Sequence, residues 1–256
     1  NTVTFTLGGT DAASFTLGSS TGVLAFVSAP DYESKTTYEI QVTASDGELQ
    51  DQQTITVNII NLNDNSPTFE SADSYSINEN QTFVANLSVT DADGDAVALS
   101  LFGAWNGVPA ADIFTINQDG TIEFKEPVDY ENLSEVQVRV RASDGVNLTD
   151  EIIYITINNL NDNSPIIYVS NSFDIDENLS FTTQLVAADS DGTEDYGQPA
   201  LQFSLSGADA SLFSLSNTFL NDVNRYESTL TLNEAADFEV KTIYDITLNV
   251  SDGVNV

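Results

Sequence analysis

The sequence predicts an all-β chain of tandem Greek-key β-sandwiches, each of about seven strands. Three observations carry that prediction. A set of short motifs recurs in fixed order at one spacing. Apolar β-branched residues alternate with polar ones at a period of two. Asp-Gly turn signals punctuate these runs, and no helix of ordinary length stands out.

The repeat comes first. Asn61-Leu-Asn-Asp-Asn-Ser-Pro67 returns unchanged as Asn159 to Pro165, 98 residues on. The same step takes Asp31-Tyr-Glu33 to Asp129-Tyr-Glu131 and Ser45-Asp-Gly47 to Ser143-Asp-Gly145. It also takes Asn78-Glu-Asn80 to Asp176-Glu-Asn178 and Asp91-Ala-Asp93 to Asp189-Ser-Asp191. The third copy is stretched: Asp237-Phe-Glu239 and Ser251-Asp-Gly253 follow their second-copy counterparts by 108 residues. The expected division is therefore 1–67, a partial repeat without its opening strands; 68–165, a complete repeat; and 166–256, a repeat with a longer hairpin and no last strand. With no Met in the chain, these incomplete repeats read as an internal or processed piece of a longer protein.

The strands come next. Val136, Val138, Val140 and Ala142 alternate with polar residues, and Ile153, Ile155 and Ile157 do the same. Ile40, Val42, Ala44 and Ile55, Val57, Ile59 repeat the pattern in copy one, and Ile246, Leu248, Val250 in copy three. Each such run presents one face to a core. Asp93-Gly94, Asp119-Gly120 and Asp144-Gly145 mark turns between them.

Composition then limits function. At 256 residues and 41% hydrophobic content, the chain can bury a core in two to three small domains. Forty acidic against six basic side chains give a net charge of −34, which repels nucleic acid and anionic membranes and attracts cations. No apolar run is long enough to insert in a membrane. Without Cys there is no disulfide or thiolate site, and without His the commonest general base and zinc ligand are missing. Carboxylate pairs suited to hydrolysis all fall inside repeated motifs, so the chain is expected not to be an enzyme.

The acidic motifs fall where a sandwich turns at its ends. They offer only oxygen donors, and a hard divalent cation takes six to eight of these, with calcium tolerating irregular carboxylate-rich cages better than magnesium. Ordinary Asp and Asn turn chemistry explains any one motif, but not five in register. An EF-hand fails, since Ala96 and Phe102 stand where the loop starting at Asp91 needs Gly and Glu.

The motif order, from Asn-Glu-Asn to Asn-Leu-Asn-Asp-Asn-Ser-Pro, resembles the calcium signature of cadherin repeats over essentially the whole chain. The resemblance implies a cadherin/immunoglobulin-like sandwich with calcium (Ca2+) between consecutive repeats. Carried over by position, the first junction would use Asp31, Glu33, Asn63, Asp64, Asn65, Asp91, Asp93 and Asp144. The second would use Glu79, Asp129, Glu131, Asn161, Asp162, Asn163, Asp189, Asp191 and Asp252. Asn61 and Asn159 stand where the family linker opens with Asp, which removes one charge from each site. The first junction has no counterpart of Glu79, and Glu177, Asp237 and Glu239 would form part of a third site. The function implied is a calcium-dependent extracellular, cell-surface or secreted adhesive spacer, stiffened into a rod at its junctions. High acidity without Cys further resembles the repeats of large bacterial surface adhesins.

Two other functions fit the residues. A polysaccharide-binding module would use Trp105 and the segment with Phe219, Arg225 and Tyr226, although the simpler reading of that segment is an extended hairpin. A filament-forming subunit would complete its partial repeats by strand exchange. Partners would thus be calcium, another adhesin molecule, a protein receptor or a polysaccharide. Asn80, Asn86, Asn132, Asn147 and Asn178 lie in Asn-x-Ser/Thr acceptor sequences, of which Asn80 and Asn178 fall inside calcium motifs.

Overall fold

The computed structural model describes residues 2–192, 200–219 and 225–254, with the backbone alone at 217–219. It is all-β and mostly antiparallel, built from the strands that the period-two runs predict. Among the described residues helix is limited to single turns, at Ala12–Ser14, Ala110–Ile113 and Ala210–Leu212.

The central repeat shows how the pattern becomes structure. Its strands Ala98–Phe102, Glu135–Ser143, Leu148–Asn158 and Ser74–Asn78 form one sheet in that order. Strands Phe114–Ile116, Thr121–Phe124 and Phe83–Asn86 form another. Val136, Val138, Val140 and Ala142 are at most 3% exposed, and Ile153, Ile155 and Ile157 at most 1%. Their polar neighbours take the opposite face because successive side chains alternate across a strand.

The first repeat follows the same plan with a weaker core. Strands Thr4–Gly8, Thr37–Ser45 and Gln50–Asn58 make a three-stranded sheet, paired in register from Thr37↔Asn58 to Ser45↔Gln50. Ile40 is fully buried, yet Val42, Ala44, Ile55, Val57 and Ile59 are only half-buried. The cause is local. Gln50–Asn58 is an edge strand, whereas its counterpart Leu148–Asn158 is flanked by Ser74–Asn78.

The stretch of sequence that lengthens the third copy borders a long strand pair. Phe213–Phe219 pairs with Tyr226–Leu232 from Phe213↔Leu232 to Phe219↔Tyr226. The equivalent hairpin of the second repeat pairs only three residues. Of the residues weighed there as a sugar contact, Arg225 is exposed but Tyr226 is 4% exposed, packed with Ala187, Leu201 and Val250. Tyr226 is thus a core residue, placed inward by strand alternation; the side chain of Phe219 lies outside the described residues. Trp105 is half-buried in the hairpin Ala104–Trp105/Val108–Pro109.

By compactness the chain divides into two units. One comprises residues 1–75, 83–125 and 137–154, and the other 76–82, 126–136 and 155–256. The first buries Phe15, Ile40, Phe114, Ile122 and Phe124. The second is centred on Leu185, Phe213, Leu230 and Leu232, with Ile155 and Ile157 also buried in it.

One turn glycine is indispensable. Gly120 has φ +89°, and a Cβ there would stand 2.0 Å from the Leu87 carbonyl oxygen, whose own N–H donates to the Gly120 carbonyl. Gly120→Ala is expected to cost about 1–2 kcal/mol in backbone strain and about 1–3 kcal/mol in overpacking. Urea unfolding should show a lower midpoint at unchanged slope.

Candidate metal centres

Each unit carries one acidic centre, assembled from loops at strand ends. In the second unit Glu79 leaves strand Ser74–Asn78 and is 3% exposed. Its Oε2 accepts the Tyr130 N–H at 2.9 Å and its Oε1 the Leu160 N–H at 2.7 Å. One carboxylate therefore fixes both the Asp129–Glu131 turn and the start of the 159–165 linker. Asp129 closes its own turn, accepting from the Glu131 N–H at 3.0 Å and from Asn132 Nδ2 at 2.6 Å. Asn80, in a left-handed conformation at φ 65°, donates to Asp162.

The linker is then tied to the third repeat. Asp191 accepts from Asn163 through its backbone N–H (2.9 Å) and its Nδ2 (2.7 Å), and Asn159 Nδ2 donates to the Asp191 carbonyl at 2.7 Å. Asp191 N–H donates to Asp189 Oδ1 at 3.1 Å. Two groups of carboxylates result: Glu79, Glu131 and Asp162; and Asp189, Asp191 and Asp252. In each, one oxygen per residue lies within 4.8 Å of the others. The second group is deeply buried, at 4%, 1% and 2% exposure, and Asp189 Oδ2 accepts no hydrogen bond from the described residues. Asn161 is half-buried in the same linker.

Burial and crowding show in the acidities. The Asp189 carboxyl is pushed up to about 6, first by burial and then by the charges of Asp191 and Asp252. Glu131 rises to about 7, again through burial first, with Asp129, Glu79 and Asp191 beside it.

The first unit repeats the layout more openly. Asp93 accepts the Asp64 N–H at 3.0 Å, the Asn65 N–H at 2.8 Å and Asn65 Nδ2 at 2.9 Å, and Asn61 Nδ2 donates to its carbonyl at 2.8 Å. Bonding to Asn65, above all, holds Asp93 below the ordinary carboxylate value. Its carboxylate groups are Glu33, Asp64 and Asp93, and Asp91, Asp93 and Asp95, with only Asp93 buried. Asp31 closes its own turn on Glu33 and Ser34.

The positions named from sequence thus converge, with differences in detail. Asp144 is not in a carboxylate group as its counterpart Asp252 is; it accepts the Val146 and Asn147 N–H groups of its own turn. Asp95 joins the first centre although the repeat did not single it out. Asn147 was also missed: its Nδ2 donates to Asn63 Oδ1 and to the Asn65 carbonyl, both at 2.9 Å, tying that turn to the linker. Register with the first copy gave no signal for it, because Leu49 stands 98 residues earlier, although the third copy carries Asn255 at the matching place 108 residues on. Glu177, Asp237 and Glu239 form no carboxylate group among the described residues, and Asp237 accepts from the Glu239 N–H in a turn of its own.

Comparison with known proteins fits this geometry. Residues 73–158 match the cadherin domain model. Human Protocadherin Fat 1 is 29% identical over 259 residues, covering 94% of this chain and 5% of that protein. Human Cadherin-23 is 27% identical over 266 residues, covering 95% and 8%. The chain therefore spans a small part of these relatives. Among solved structures, extracellular cadherin domains 1–4 of Protocadherin Gamma B7 superpose with a TM-score of 0.74 at 22% identity, over 97% of this chain and 62% of that one. Mouse Cadherin-23 EC22-24 gives 0.68 at 22%, over 98% and 81%. At these identities the likeness is one of fold. Residues 73–158 are therefore similar to a cadherin domain, and the chain on either side is similar to repeats of the same kind.

Proposed function

We propose that the chain is a calcium-dependent adhesive spacer of three repeats, 1–67, 68–165 and 166–256, in which calcium at the two acidic centres stiffens the string into a rod. The observation that carries this is Asp189 Oδ2. It is a buried carboxylate oxygen without a hydrogen bond among the described residues, and it belongs to the group formed with Asp191 and Asp252. An unpaired buried charge is costly, and a cation removes the cost. Glu79, Glu131, Asp162, Asp189, Asp191 and Asp252, with Asp129, Asn161 and Asn163 beside them, would hold the ions of the second centre. Glu33, Asp64, Asp91, Asp93 and Asp95 would hold those of the first, with Asp31, Asn63, Asn65 and Asp144 around them. Calcium supplies the attraction that replaces mutual repulsion. The chain's own part is to pin the linker with Glu79 and Asp191, so that an ion engages groups from consecutive repeats.

The high acidity and absence of Cys support the narrower reading of a bacterial-type surface adhesin, whereas the relatives compared above are animal proteins. The free edge of Gln50–Asn58 favours a second reading, assembly by strand exchange. The sugar-binding reading loses Tyr226 to the core.

Small-angle X-ray scattering in millimolar calcium and in excess chelator tests the spacer. A defined maximum dimension is expected with calcium and a broad distribution without it, and Asp162→Ala in calcium should scatter as the chelated protein does. An unchanged profile would remove the junction mechanism, and a mass rising with concentration would favour assembly.

The acidities predict how calcium binding depends on pH. The folded values of Asp189 and Glu131 lie above their ordinary 3.8 and 4.5. Protonation therefore favours the calcium-free fold. That contribution is full below about pH 4 and is lost as pH rises through about 6 and 7. Calcium needs the ionised forms, so its affinity should fall by roughly tenfold per pH unit for each proton displaced. Calorimetry in two buffers of different ionisation enthalpy, at pH 5.5 and 8, should show proton release only at the lower value.

A further inference from the structure

The Asn-x-Ser/Thr acceptor sequences are unequal in the fold. To those at Asn80, Asn86, Asn132, Asn147 and Asn178 the sequence adds Asn249-Val-Ser251. Transfer of a glycan joins the asparagine Nδ2 to the anomeric carbon of an oligosaccharide. The Nδ2 loses one proton, and the lipid diphosphate that carried the sugar departs. A folded protein keeps such a glycan only where Nδ2 faces solvent and is not needed elsewhere.

Four acceptors spend that nitrogen on the structure. Asn147 Nδ2 donates to Asn63 and Asn65 of the first linker, and Asn80 Nδ2 donates to Asp162 of the second. Asn132 Nδ2 donates to Asp129 at 2.6 Å, beside the second centre, and Asn249 Nδ2 to Ser206 Oγ at 3.0 Å. Asn178 is exposed, but it repeats the place and the left-handed turn of Asn80 (φ 63° and 65°) within the motif that contacts a linker.

Asn86 differs from all of these. It is exposed on strand Phe83–Asn86, far in sequence from either linker, with Ser88 exposed two residues on. Its Oδ1 accepts the Thr121 hydroxyl at 2.9 Å, a bond that a glycosylated amide retains. Its Nδ2 makes no hydrogen bond to the described residues. In the third repeat Gln184 takes its place, so only the central repeat has the acceptor.

We propose that Asn86 is an N-glycosylation site of this extracellular chain. The inference rests on passage through a secretory pathway with a lipid-linked oligosaccharide donor, hence on an animal-type and not a bacterial-type reading of the chain, and not on calcium binding. Strand Phe83–Asn86 lies at the end of its three-stranded sheet, paired only with Thr121–Phe124 in that sheet. A glycan there guards a free strand edge against pairing with other chains.

The test is secretion of the chain from mammalian cells, with glycopeptide mapping before and after peptide N-glycosidase. The expected result is a glycan on the peptide containing Asn86 and none on that containing Asn147. Ser88→Ala, which leaves Asn86 and its Thr121 bond in place, should lose one glycan's mass and still be secreted. Unmodified Asn86 in the secreted wild type would overturn the proposal, as would a modified Asn147 in protein that still binds calcium. Calcium binding measured on the same material keeps a failure here distinct from a failure of the spacer reading.

Discussion

Asp189→Asn should stabilise the calcium-free protein and weaken the calcium-loaded one. The substitution keeps the shape and the acceptor oxygen that receives the Asp191 N–H at 3.1 Å. It removes a charge that is buried, crowded by Asp191 and Asp252, and raised in acidity to about 6. In chelator at neutral pH the gain should be about 1 kcal/mol, on the scale of 1.36 kcal/mol for one pKa unit. In calcium the lost carboxylate should lower affinity about tenfold or more. If wild type binds with a Kd near 10⁻⁴ M, as extracellular modules do, 10 mM calcium adds about 2.7 kcal/mol, and a tenfold weaker site adds about 1.4 kcal/mol. The order of the two thermal midpoints should therefore reverse between chelator and calcium. A lower midpoint for the variant in both conditions would make Asp189 a structural residue and sink its role as a ligand.

Much of this centre was legible in the sequence because its carboxylates sit in short motifs that the repeat keeps in register. Motif register brought Glu79, Glu131, Asp162, Asp189, Asp191 and Asp252 together without any knowledge of distance. The strands were legible for a related reason: the run from Val136 to Ala142 buries every second residue. What stayed hidden were facts of pairing and packing. The half-open face around Val57 and Ile59 depends on which strand lies beside Gln50–Asn58, not on the alternation within it. Tyr226 looks like an interface residue until its partner Phe219 and its place on the inner face are known. Asn147 works through an amide that the first copy replaces with Leu49 and the third repeats as Asn255, and because it is not a carboxylate a search for acidic motifs passes over it. Asp129 and Asp144 were named by register, but each carboxylate accepts from its own turn, and whether it faces a neighbouring group or that turn is decided by side-chain rotation.

Glu79→Ala should lower stability in calcium and in chelator alike, which sets it apart from Asp189→Asn. The Glu79 carboxylate accepts the Tyr130 and Leu160 N–H groups, and the side chain is almost wholly buried. A fully buried unpaired donor costs about 1–3 kcal/mol; with Tyr130 half-buried and Leu160 partly open to water, the two together should cost about 1–3 kcal/mol in urea unfolding even without metal. Glu79→Gln keeps one acceptor oxygen but turns an amide nitrogen toward the second N–H, and should lose about half as much. Calcium titration of the Gln variant reads the other role. The second centre should weaken while the first, which has no buried counterpart of Glu79, keeps its affinity, so a two-step isotherm should collapse toward one step. If the Gln variant unfolds earlier but titrates as wild type, Glu79 is a latch only, and the ions of the second centre rest on Glu131, Asp162 and the Asp189 group. If both change, one buried carboxylate couples the linker's path to the presence of the cation. The rod-forming mechanism requires that coupling, because an ion can stiffen a junction only if the chain is held where the ion's ligands are.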